Sequence, residues 1–424
     1  MQVVSELLKH ISLPKMVKVK QVYDDFEITA TDIPVAIKEE LCRDNLLKVL
    51  KPGMKVAITC GSRGIHNYPL IVRTIVNLIK ETGAFPFIVG AMGSHGGATE
   101  NGQRQILSDF GITEEAMGCP IKCQMDTVCI GHCDEFDTDV RIDKNAAEAD
   151  AILLLNRIKI HTSFHGPYES GLMKMMSIGL GKQPGAEIIH AIKPELMHRV
   201  VEEHGKIVLQ NAPVIGGLAV IENAYDKTYK LVGLTPDEII KEEPNLLLEA
   251  KSLFANILFD KTDILVVDKI GKNISGDGMD PNVTGRFATS LSGGIDASAI
   301  VVLDLTDETH GNAQGIGNAD VTTLRLEQKM KREITYPTAV TNKFLCLDKL
   351  PMVMDNDREA IQLAIKSIYK DNPDDISIIR IPDTAHLEYI EISESLLSEA
   401  RQNPKIEILS EPYDWNFDNK GNLW

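Results

Sequence analysis

Polar loops rich in glycine and histidine are the parts of this sequence that could do chemistry. Three of them surround Arg63, His95 and His161, and the third runs on through His165 to His190. Histidine is the only side chain whose unperturbed pKa lies near neutrality, so several in one place indicate acid–base catalysis or metal ligation. A single histidine is more often structural. A glycine-rich loop does not need an imidazole for its packing, however, which favours a functional role for His95.

Each of these loops follows an apolar segment that is typical of a buried strand, and segments with helical spacing lie between them. The strands run into their loops in KPGMKVAITCGSR, PFIVGAMGSHGGAT and ADAILLLNRIKIH, and the helical segments are LIVRTIVNLIKETGA and NGQRQILSDFGI. This alternation predicts a parallel sheet covered by helices. Ligands of such sheets bind beyond the carboxyl ends of the strands, where we expect all three loops.

A second series of strands begins near residue 260, with the segments KTDILVVDKIG, SAIVVLDLT and DISIIRIPD. A chain of 424 residues also exceeds the usual size of one hydrophobic core. We therefore predict two α/β domains, residues 1–260 and 261–424, with a cleft between them. The N-terminal domain would carry the histidines, and loop 272–286 of the C-terminal domain would face it.

The charge of the sequence limits its partners. It has 44 lysines and arginines against 61 aspartates and glutamates, which gives a formal net charge of −17. Such a chain repels nucleic acid and anionic lipid surfaces, whereas a few basic residues in a cleft can still bind a small anionic substrate. The sequence begins without the apolar stretch of a secretory signal, and no apolar run is long enough to span a membrane. We expect a cytoplasmic protein, and a homo-oligomer is compatible with the sequence.

The sequence contains seven cysteines. An odd number in so long a chain is more typical of reduced thiols than of a disulfide framework. Four lie close together, at Cys119, Cys123, Cys129 and Cys133. Their spacing matches no common zinc motif, and the segment alternates as strands do when one face is buried. Buried free thiols are therefore favoured over a structural zinc site.

The segment KIHTSFHGPYESGLMKMMSIGLGKQPGAEIIH resembles the central signature of nickel-dependent lactate racemases. The matching positions are Ser170, Gly171, Lys174, Gly179 and His190, and every spacing from the serine onward is kept. The loop GSHGGATENGQ is similar to the family's loop for a catalytic histidine, and GSR at 61–63 to its phosphate-binding loop. The resemblance is dense from about residue 60 to 190, and the three motifs occur in the family's order.

This resemblance implies a fold like that of lactate racemase and a nickel-pincer nucleotide cofactor, pyridinium-3,5-bisthiocarboxylic acid mononucleotide nickel. It implies that Lys174 holds the cofactor covalently and that His190 is the protein ligand to nickel, for which a neutral imidazole is suitable. Ser62 and Arg63 would bind the nucleotide phosphate, with Ser170 as a further cofactor contact. The proteins that make the cofactor would be partners.

The resemblance also implies that His95 and His161 are the paired acid–base residues of a 2-hydroxy-acid racemase or epimerase. The two enantiomers present their hydroxyl groups from opposite sides, so two proton acceptors are needed. A hydrogen next to a carboxylate is a very weak acid, because its removal places a second negative charge beside the first. Transfer of that hydrogen as a hydride to the cofactor, and its return to the other face, avoids the carbanion.

The sequence departs from the family pattern between His161 and Ser170, where it is three residues longer and contains His165. His161 is favoured as the second acid–base residue because it directly follows the strand. His165 remains an alternative base or a substrate contact.

The family's substrate loop in the second domain, with Tyr-Gln and a lysine, is replaced here by GDGMDPNVTGR. Arg286 is the candidate that would bind the substrate carboxylate with two hydrogen bonds, and Lys272, Asn273 and Asn282 are further candidates. A surface loop with an exposed arginine explains the segment equally well. The polar replacement favours a substrate with more hydroxyl groups than lactate, such as the aldonate gluconate, which loop 309–320 could also contact.

Three other functions were compatible with parts of the sequence. A nicotinamide-dependent dehydrogenase is disfavoured because no G-x-G-x-x-G motif follows the first strand. A zinc hydrolase would use His161, His165 and His190 as ligands. A non-catalytic carrier of the nickel nucleotide would not need the pair His95 and His161.

Overall fold

The structure is a computed structural model that describes residues 2–370 and 372–424. It contains two compact units. The first unit is Asp24–Phe254, and the second unit consists of the described residues up to Tyr23 and from Ala255 onward. The chain begins in the second unit with helix α1 (Gln2–Leu8) and strand β1 (Met16–Gln21).

The first unit alternates strands and helices. Its strands are β2 (Lys55–Cys60), β3 (Phe85–Gly90), β4 (Ile121–Lys122), β5 (Thr127–Cys133), β6 (Thr138–Asp143), β7 (Ala151–Arg157), β8 (Val214–Glu222) and β9 (Thr228–Leu234). Its helices are α2 (Ile33–Cys42), α3 (Tyr68–Glu81), α4 (Glu100–Asp109), α5 (Glu114–Met117), α6 (Lys144–Ala147), α7 (Leu172–Lys174), α8 (Lys182–His190), α9 (Met197–Asn211) and α10 (Pro236–Leu253). A π-helix, Met175–Gly179, connects α7 to the turn before α8.

Six strands of the first unit form one sheet in the order β4-β3-β2-β7-β8-β9. All neighbours in it are parallel except β8 and β9. Successive residues of a strand point to opposite faces, and in β7 Ile152 and Leu154 join one hydrophobic core whereas Leu153 and Leu155 join another. A sheet buried on both faces explains why its strands are continuous apolar runs in the sequence.

The second unit contains the remaining elements. Its further strands are β10 (Lys261–Ile270), β11 (Asp296–Leu305), β12 (Val321–Thr323), β13 (Met352–Met354), β14 (Ile378–Ile381), β15 (Tyr389–Ser393) and β16 (Ile406–Ile408). Its further helices are α11 (Pro281–Thr284), α12 (Leu324–Lys329), α13 (Arg332–Asn342), α14 (Asp357–Ser367) and α15 (Leu397–Gln402). The sheet has eight strands in the order β13-β12-β11-β10-β14-β15-β1-β16, parallel as far as β14 and antiparallel beyond it.

The prediction of an α/β fold is confirmed, but the division of the chain differs from the predicted one in two respects. Residues up to Tyr23 belong to the second unit, because β1 is hydrogen-bonded between β15 and β16. Such a pairing between the two ends of a chain leaves no local signal in the sequence. The first unit ends at Phe254, six residues before the predicted boundary at 260.

The seven cysteines are free thiols in the structure. Within the predicted cluster, Cys119, Cys123 and Cys133 are buried, whereas Cys129 is exposed. Burial raises the pKa of Cys119 to about 11 and that of Cys123 above its usual value, so both are poor nucleophiles. Among the described helices, none combines the length and the apolar character that a membrane span requires.

Candidate active site

The three polar loops meet at one edge of the first unit's sheet. Ser62 and Arg63 follow β2, the His95 loop follows β3, and His161 comes shortly after β7. These strands are adjacent and parallel, in the order β3-β2-β7. Their carboxyl ends therefore lie side by side, which is where open α/β sheets bind ligands.

The side chain of His95 contacts the neighbouring loop, because its Nδ1 is hydrogen-bonded to the hydroxyl of Ser62. His95 is exposed and lies between two glycines with positive φ, Gly93 at 58° and Gly96 at 69°. A Cβ atom on Gly96 would lie 2.5 Å from the backbone of Gly102 in α4, so this turn requires glycine. The close packing on α4 sets the path of the backbone that carries His95.

The loop that begins at His161 is organised by a buried carboxylate, Glu169. It accepts hydrogen bonds from the backbone N–H groups of His161 (2.7 Å) and Gly166 (3.2 Å). Lys251 of α10 forms an ion pair with it at 2.6 Å. Glu169 therefore closes the longer loop of this chain into one defined turn.

The imidazole of His161 is half-buried and stacks on Phe164 with 4.2 Å between ring centroids. Its Nδ1 accepts a hydrogen bond from the backbone N–H of Ser163 at 3.0 Å, so the proton of the neutral ring is on Nε2. Burial lowers the pKa of His161 well below its usual range, and the charges of nearby groups lower it further. These groups are Lys174, His190, His165 and Arg63. At neutral pH His161 is therefore an uncharged hydrogen-bond donor at Nε2.

Lys174 is the last residue of α7, directly before the π-helix Met175–Gly179. Such π-helical turns are rare and frequently occur at functional sites. Burial, followed by the charge of Arg63, lowers the pKa of Lys174 to about 8, against the opposite effect of Glu169. A substantial fraction of this amine is therefore neutral, and thus nucleophilic, near neutral pH.

The first turn of α7 is capped by Glu243 from α10. The carboxyl Oε2 accepts hydrogen bonds from the backbone N–H groups of Leu172 (3.0 Å) and Met173 (3.1 Å). A Cβ atom on Gly171 would lie 2.1 Å from Oε1 of Glu243, and the Gly171 carbonyl accepts a hydrogen bond from Asn156 at 2.7 Å. The glycine of the Ser-Gly-x-x-Lys motif therefore makes room for the carboxyl group that holds the start of this helix.

His190 and Ser170 occupy the two ends of the segment around Lys174. His190 ends α8, and its pKa is lowered first by partial removal of its ring from water among the surrounding atoms and then by the charge of Lys174. Ser170 is half-buried, and its backbone is hydrogen-bonded in both directions to that of Lys159 (2.9 and 3.1 Å). His190 thus offers a largely neutral imidazole near the lysine, as a metal ligand must.

Among the side chains that the structure describes, no three of His, Cys, Asp or Glu are close enough together to hold a metal ion. His161, His165 and His190 therefore do not form the ligand set of a zinc hydrolase in this structure. A metal bound by His190 would need donors that do not come from these side chains. The neutral imidazole of His190 is itself a suitable donor for nickel.

Residues 8–193 match the family model of the lactate racemase N-terminal domain. That range includes every candidate residue from Ser62 to His190. This part of the chain is therefore similar to the N-terminal domain of lactate racemases. The fold is similar to the structure of the lactate racemase apoprotein from Thermoanaerobacterium thermosaccharolyticum, with a TM-score of 0.54 and 14% sequence identity over 87% of this chain and 99% of that one. No curated protein sequence matches significantly.

In the second unit, Arg286 is hydrogen-bonded to acceptors of the protein itself. Its guanidinium donates two hydrogen bonds to the carboxylate of Asp320, at 3.2 and 2.9 Å. It also donates to the carbonyl groups of Ala297 (3.3 Å) and Ser298 (3.1 Å). A substrate carboxylate would have to displace Asp320, so the structure favours the structural alternative for Arg286.

Lys272 and its neighbours lie elsewhere in this unit. The Nζ of Lys272 donates to the carbonyl of Gly276 at 2.6 Å, and its backbone N–H donates to the hydroxyl of Thr309 at 3.2 Å. Asn273 accepts a hydrogen bond from the Thr306 hydroxyl at 2.6 Å. Asn282 is buried and donates to Asp280 within its own turn at 2.9 Å.

The structure does not bring Lys272 and Arg286 together. Strands β10 and β11 are parallel and in register along their ten residues. Lys272 follows the carboxyl end of β10, whereas Arg286 contacts the amino end of β11, roughly 25 Å away at 3.3 Å per residue. Of these two residues, Lys272 is the one at the carboxyl end of the parallel strands, where α/β proteins usually bind ligands.

Three charged residues in the segments around the site were not identified from the sequence: Glu169, Glu243 and Lys182. All three are almost completely buried. Charged residues are usually exposed, so nothing in their local sequence distinguishes them from surface residues. The one relevant signal is the glycine of the Ser-Gly motif, which indicates a close approach without identifying its partner.

Proposed function

We propose that this protein is a 2-hydroxy-acid racemase or epimerase that uses a nickel-pincer nucleotide bound to Lys174. The observation that carries the proposal is the electrostatic cluster around His161, in which Arg63, His165, Lys174 and His190 all contribute to lowering its pKa. The match of residues 8–193 to the lactate racemase N-terminal domain supports an isomerase of this kind. Arg63 is a permanent cation in this cluster and Lys174 is partly protonated, which suits an anionic cofactor and an anionic substrate in an otherwise acidic chain.

The residues of the first unit would hold the cofactor as follows. The amine of Lys174 would form the covalent link, for which it must be neutral, and its pKa of about 8 makes that form accessible. Arg63 and Ser62 would bind the phosphate, Ser170 would be a further contact, and His190 would coordinate nickel. When bound, the cofactor supplies a centre that accepts a hydride from C2 of the substrate and returns it.

We propose that His95 and His161 handle the proton of the substrate hydroxyl on opposite faces of C2. One partner of His95 is the Ser62 hydroxyl, which can donate or accept, so this contact is compatible with either neutral tautomer of His95. His161 differs, because the N–H of Ser163 keeps the proton on Nε2. His161 would donate a hydrogen bond to the substrate oxygen in this state, and would act as a base only after the Ser163 contact opens. His165 is the alternative base.

The proposed substrate is a small 2-hydroxy acid, either a lactate-like acid or an aldonate such as gluconate. The absence of the Tyr-Gln loop from the sequence supports the aldonate, and Lys272 is the second-unit residue we propose as a substrate contact. We propose a cytoplasmic location, supported by the seven free cysteines, and the cofactor-synthesising proteins as partners. A homo-oligomer is compatible with these proposals.

The test is intact mass and metal analysis of the full chain produced together with the cofactor-synthesising enzymes. We expect a covalent mass increment and about one nickel per chain, both lost in Lys174→Ala. Lys230→Ala is the matched control, because Lys230 is a surface lysine of the same unit paired with Glu249. An unmodified wild-type chain, or an increment that survives in Lys174→Ala, would refute the assignment of Lys174.

The reaction itself is tested with 2-hydroxy acids that carry deuterium at C2. Hydride return preserves the label during epimerisation, whereas abstraction of C2–H as a proton exchanges it with solvent. We expect retention for the true substrate in a panel that contains lactate and aldonates. Epimerisation with complete loss of label would overturn the hydride mechanism and leave the racemase class intact.

A further inference from the structure

Lys182 is the most unusual charged residue of the first unit. It is completely buried, it begins α8, and its backbone has a positive φ of 53°, a conformation that L-residues rarely adopt. It lies midway in sequence between Lys174 and His190. A buried, conformationally strained cation is costly unless its surroundings compensate it fully.

The ammonium group of Lys182 lies close to three buried oxygen atoms. It forms an ion pair with Asp143 at 3.1 Å, and both side chains are fully buried. It donates hydrogen bonds to the carbonyl of Gly90 at 2.5 Å and to Oε1 of Gln103 at 3.1 Å. Burial raises the pKa of Asp143, and the charge of Lys182 opposes that effect. Well-packed apolar residues often replace such a pair without loss of stability, so the fold alone does not explain it.

Gln103 connects Lys182 to the loop of His95 through hydrogen bonds on both sides of its amide. Its Nε2 donates to the carbonyl groups of Gly93 (2.9 Å) and His95 (3.3 Å), on the other side of the amide from Lys182. Because an ammonium group can only donate, Lys182 fixes the oxygen of the Gln103 amide toward itself and the NH2 group toward the loop. The loop is also joined to the π-helix, since the N–H of Gly93 donates to the carbonyl of Gly179 at 3.1 Å.

We propose that Lys182 is a positioning residue that, through Gln103, holds the His95 loop in register with the segment carrying Lys174 and His190. One buried cation would thereby set where an acid–base histidine lies relative to the cofactor-binding residues. The catalytic part of this inference rests on the proposed function, whereas the structural part does not.

The first experiment measures hydrogen exchange by mass spectrometry on the full chain without cofactor. Gln103→Met removes the link to the loop and leaves the pair of Lys182 and Asp143 intact. The double variant Asp143→Asn/Lys182→Met removes both charges together, which avoids an unpaired buried charge. In both we expect exchange in peptide 91–99 to accelerate about tenfold, the size expected for loss of a typical hydrogen bond, with α3 unchanged.

Lys251→Met is the matched control, because Lys251 holds the other histidine loop through Glu169. It should accelerate exchange in 161–169 and leave 91–99 unchanged, the reverse of the Lys182 and Gln103 variants. Unchanged exchange of 91–99 in Gln103→Met would overturn the inference. If the double variant does not fold, Gln103→Met decides alone.

The second experiment uses the loaded enzyme and a substrate found for the wild type. We expect kcat of Gln103→Met to fall by up to about 10²-fold with little change in KM, because the bound substrate meets a displaced histidine. Loosening of 91–99 with unchanged kcat would refute positioning of a catalytic histidine. Absence of wild-type activity would count against the proposed function, and the exchange experiment would still test Lys182.

Discussion

Replacement of Glu243 tests how α7, and with it Lys174, is held in place. In Glu243→Ala the backbone N–H groups of Leu172 and Met173 lose their acceptor inside the protein. A buried donor without a partner costs about 1–3 kcal/mol, so the two together predict a loss of about 2–6 kcal/mol. Glu243→Gln keeps a carbonyl acceptor in the same place and should lose much less.

The pH dependence gives a second, independent result. Burial raises the pKa of Glu243 from 4.5 to about 8, so the folded protein binds this proton more tightly than the unfolded chain. The corresponding stability is complete below pH 4.5 and is lost as pH rises through about 8. Glu243→Gln has no such proton. The stability of the wild type should therefore fall more steeply than that of the variant over this range.

The assay is urea unfolding of wild type and both variants near pH 6 and near pH 9, together with hydrogen exchange in peptide 171–179. Because the chain has two units, exchange in that peptide assigns the loss to α7. A loss below about 1 kcal/mol in Glu243→Ala near pH 6 would refute the capping argument. Identical pH profiles for wild type and Glu243→Gln would refute the raised pKa.

Three further predictions concern the same site. Acylation of Lys174 by an amine-selective reagent should rise with pH and level off above about 8, and a rate that still rises well above that pH in peptide mass spectrometry would contradict the lowered pKa. Gly171→Ala should prevent cofactor attachment, measured by intact mass, because the new Cβ would lie 2.1 Å from Glu243. The control Gly185→Ala should keep attachment, because its Cβ would have no contact closer than 3.6 Å. His161→Gln, whose amide can donate near the position of Nε2, should retain more turnover than His161→Asn. The reverse order would indicate that Nδ1 is the functional atom.

The strands and the convergence of their loops could be predicted from the sequence, because each step depends on local pattern and general topology. The run Ala151–Leu155 indicates a buried strand, and polar residues after three such strands must lie together if the strands are parallel and adjacent. Arg63, His95 and His161 do lie at one edge of the sheet.

The charged residues that support the site could not be predicted, because their partners are distant in sequence. Glu243 caps a helix 71 positions earlier, and Lys182 bonds a carbonyl 92 positions earlier. Local sequence describes these residues as ordinary surface charges. Their burial is a property of the assembled fold.

Sequence proximity was misleading in the second unit. Lys272 and Arg286 belong to one connection, yet that connection starts at the carboxyl end of β10 and reaches the amino end of β11. Every connection between parallel strands runs from the carboxyl end of one strand to the amino end of the next. Its first and last residues therefore lie at opposite edges of the sheet. A residue that closely follows a strand lies near the carboxyl end of that strand. For choosing a candidate substrate residue, this position is a better guide than the type of side chain. That criterion retains Lys272 and sets Arg286 aside.

The two proposed acid–base histidines are unequal in the structure, and this bears on the direction of catalysis. His95 is exposed and its hydroxyl partner permits either tautomer, whereas the backbone N–H of Ser163 and the surrounding positive charge keep His161 neutral with its proton on Nε2. An enzyme that interconverts two enantiomers needs a base on each face in turn. By microscopic reversibility the Ser163 contact opens in both directions of turnover, but the base is His95 in the complex with one enantiomer and His161 in the complex with the other. A racemase with this site should show different pH profiles for kcat in its two directions, although the ratio of kcat/KM values remains fixed by the equilibrium constant.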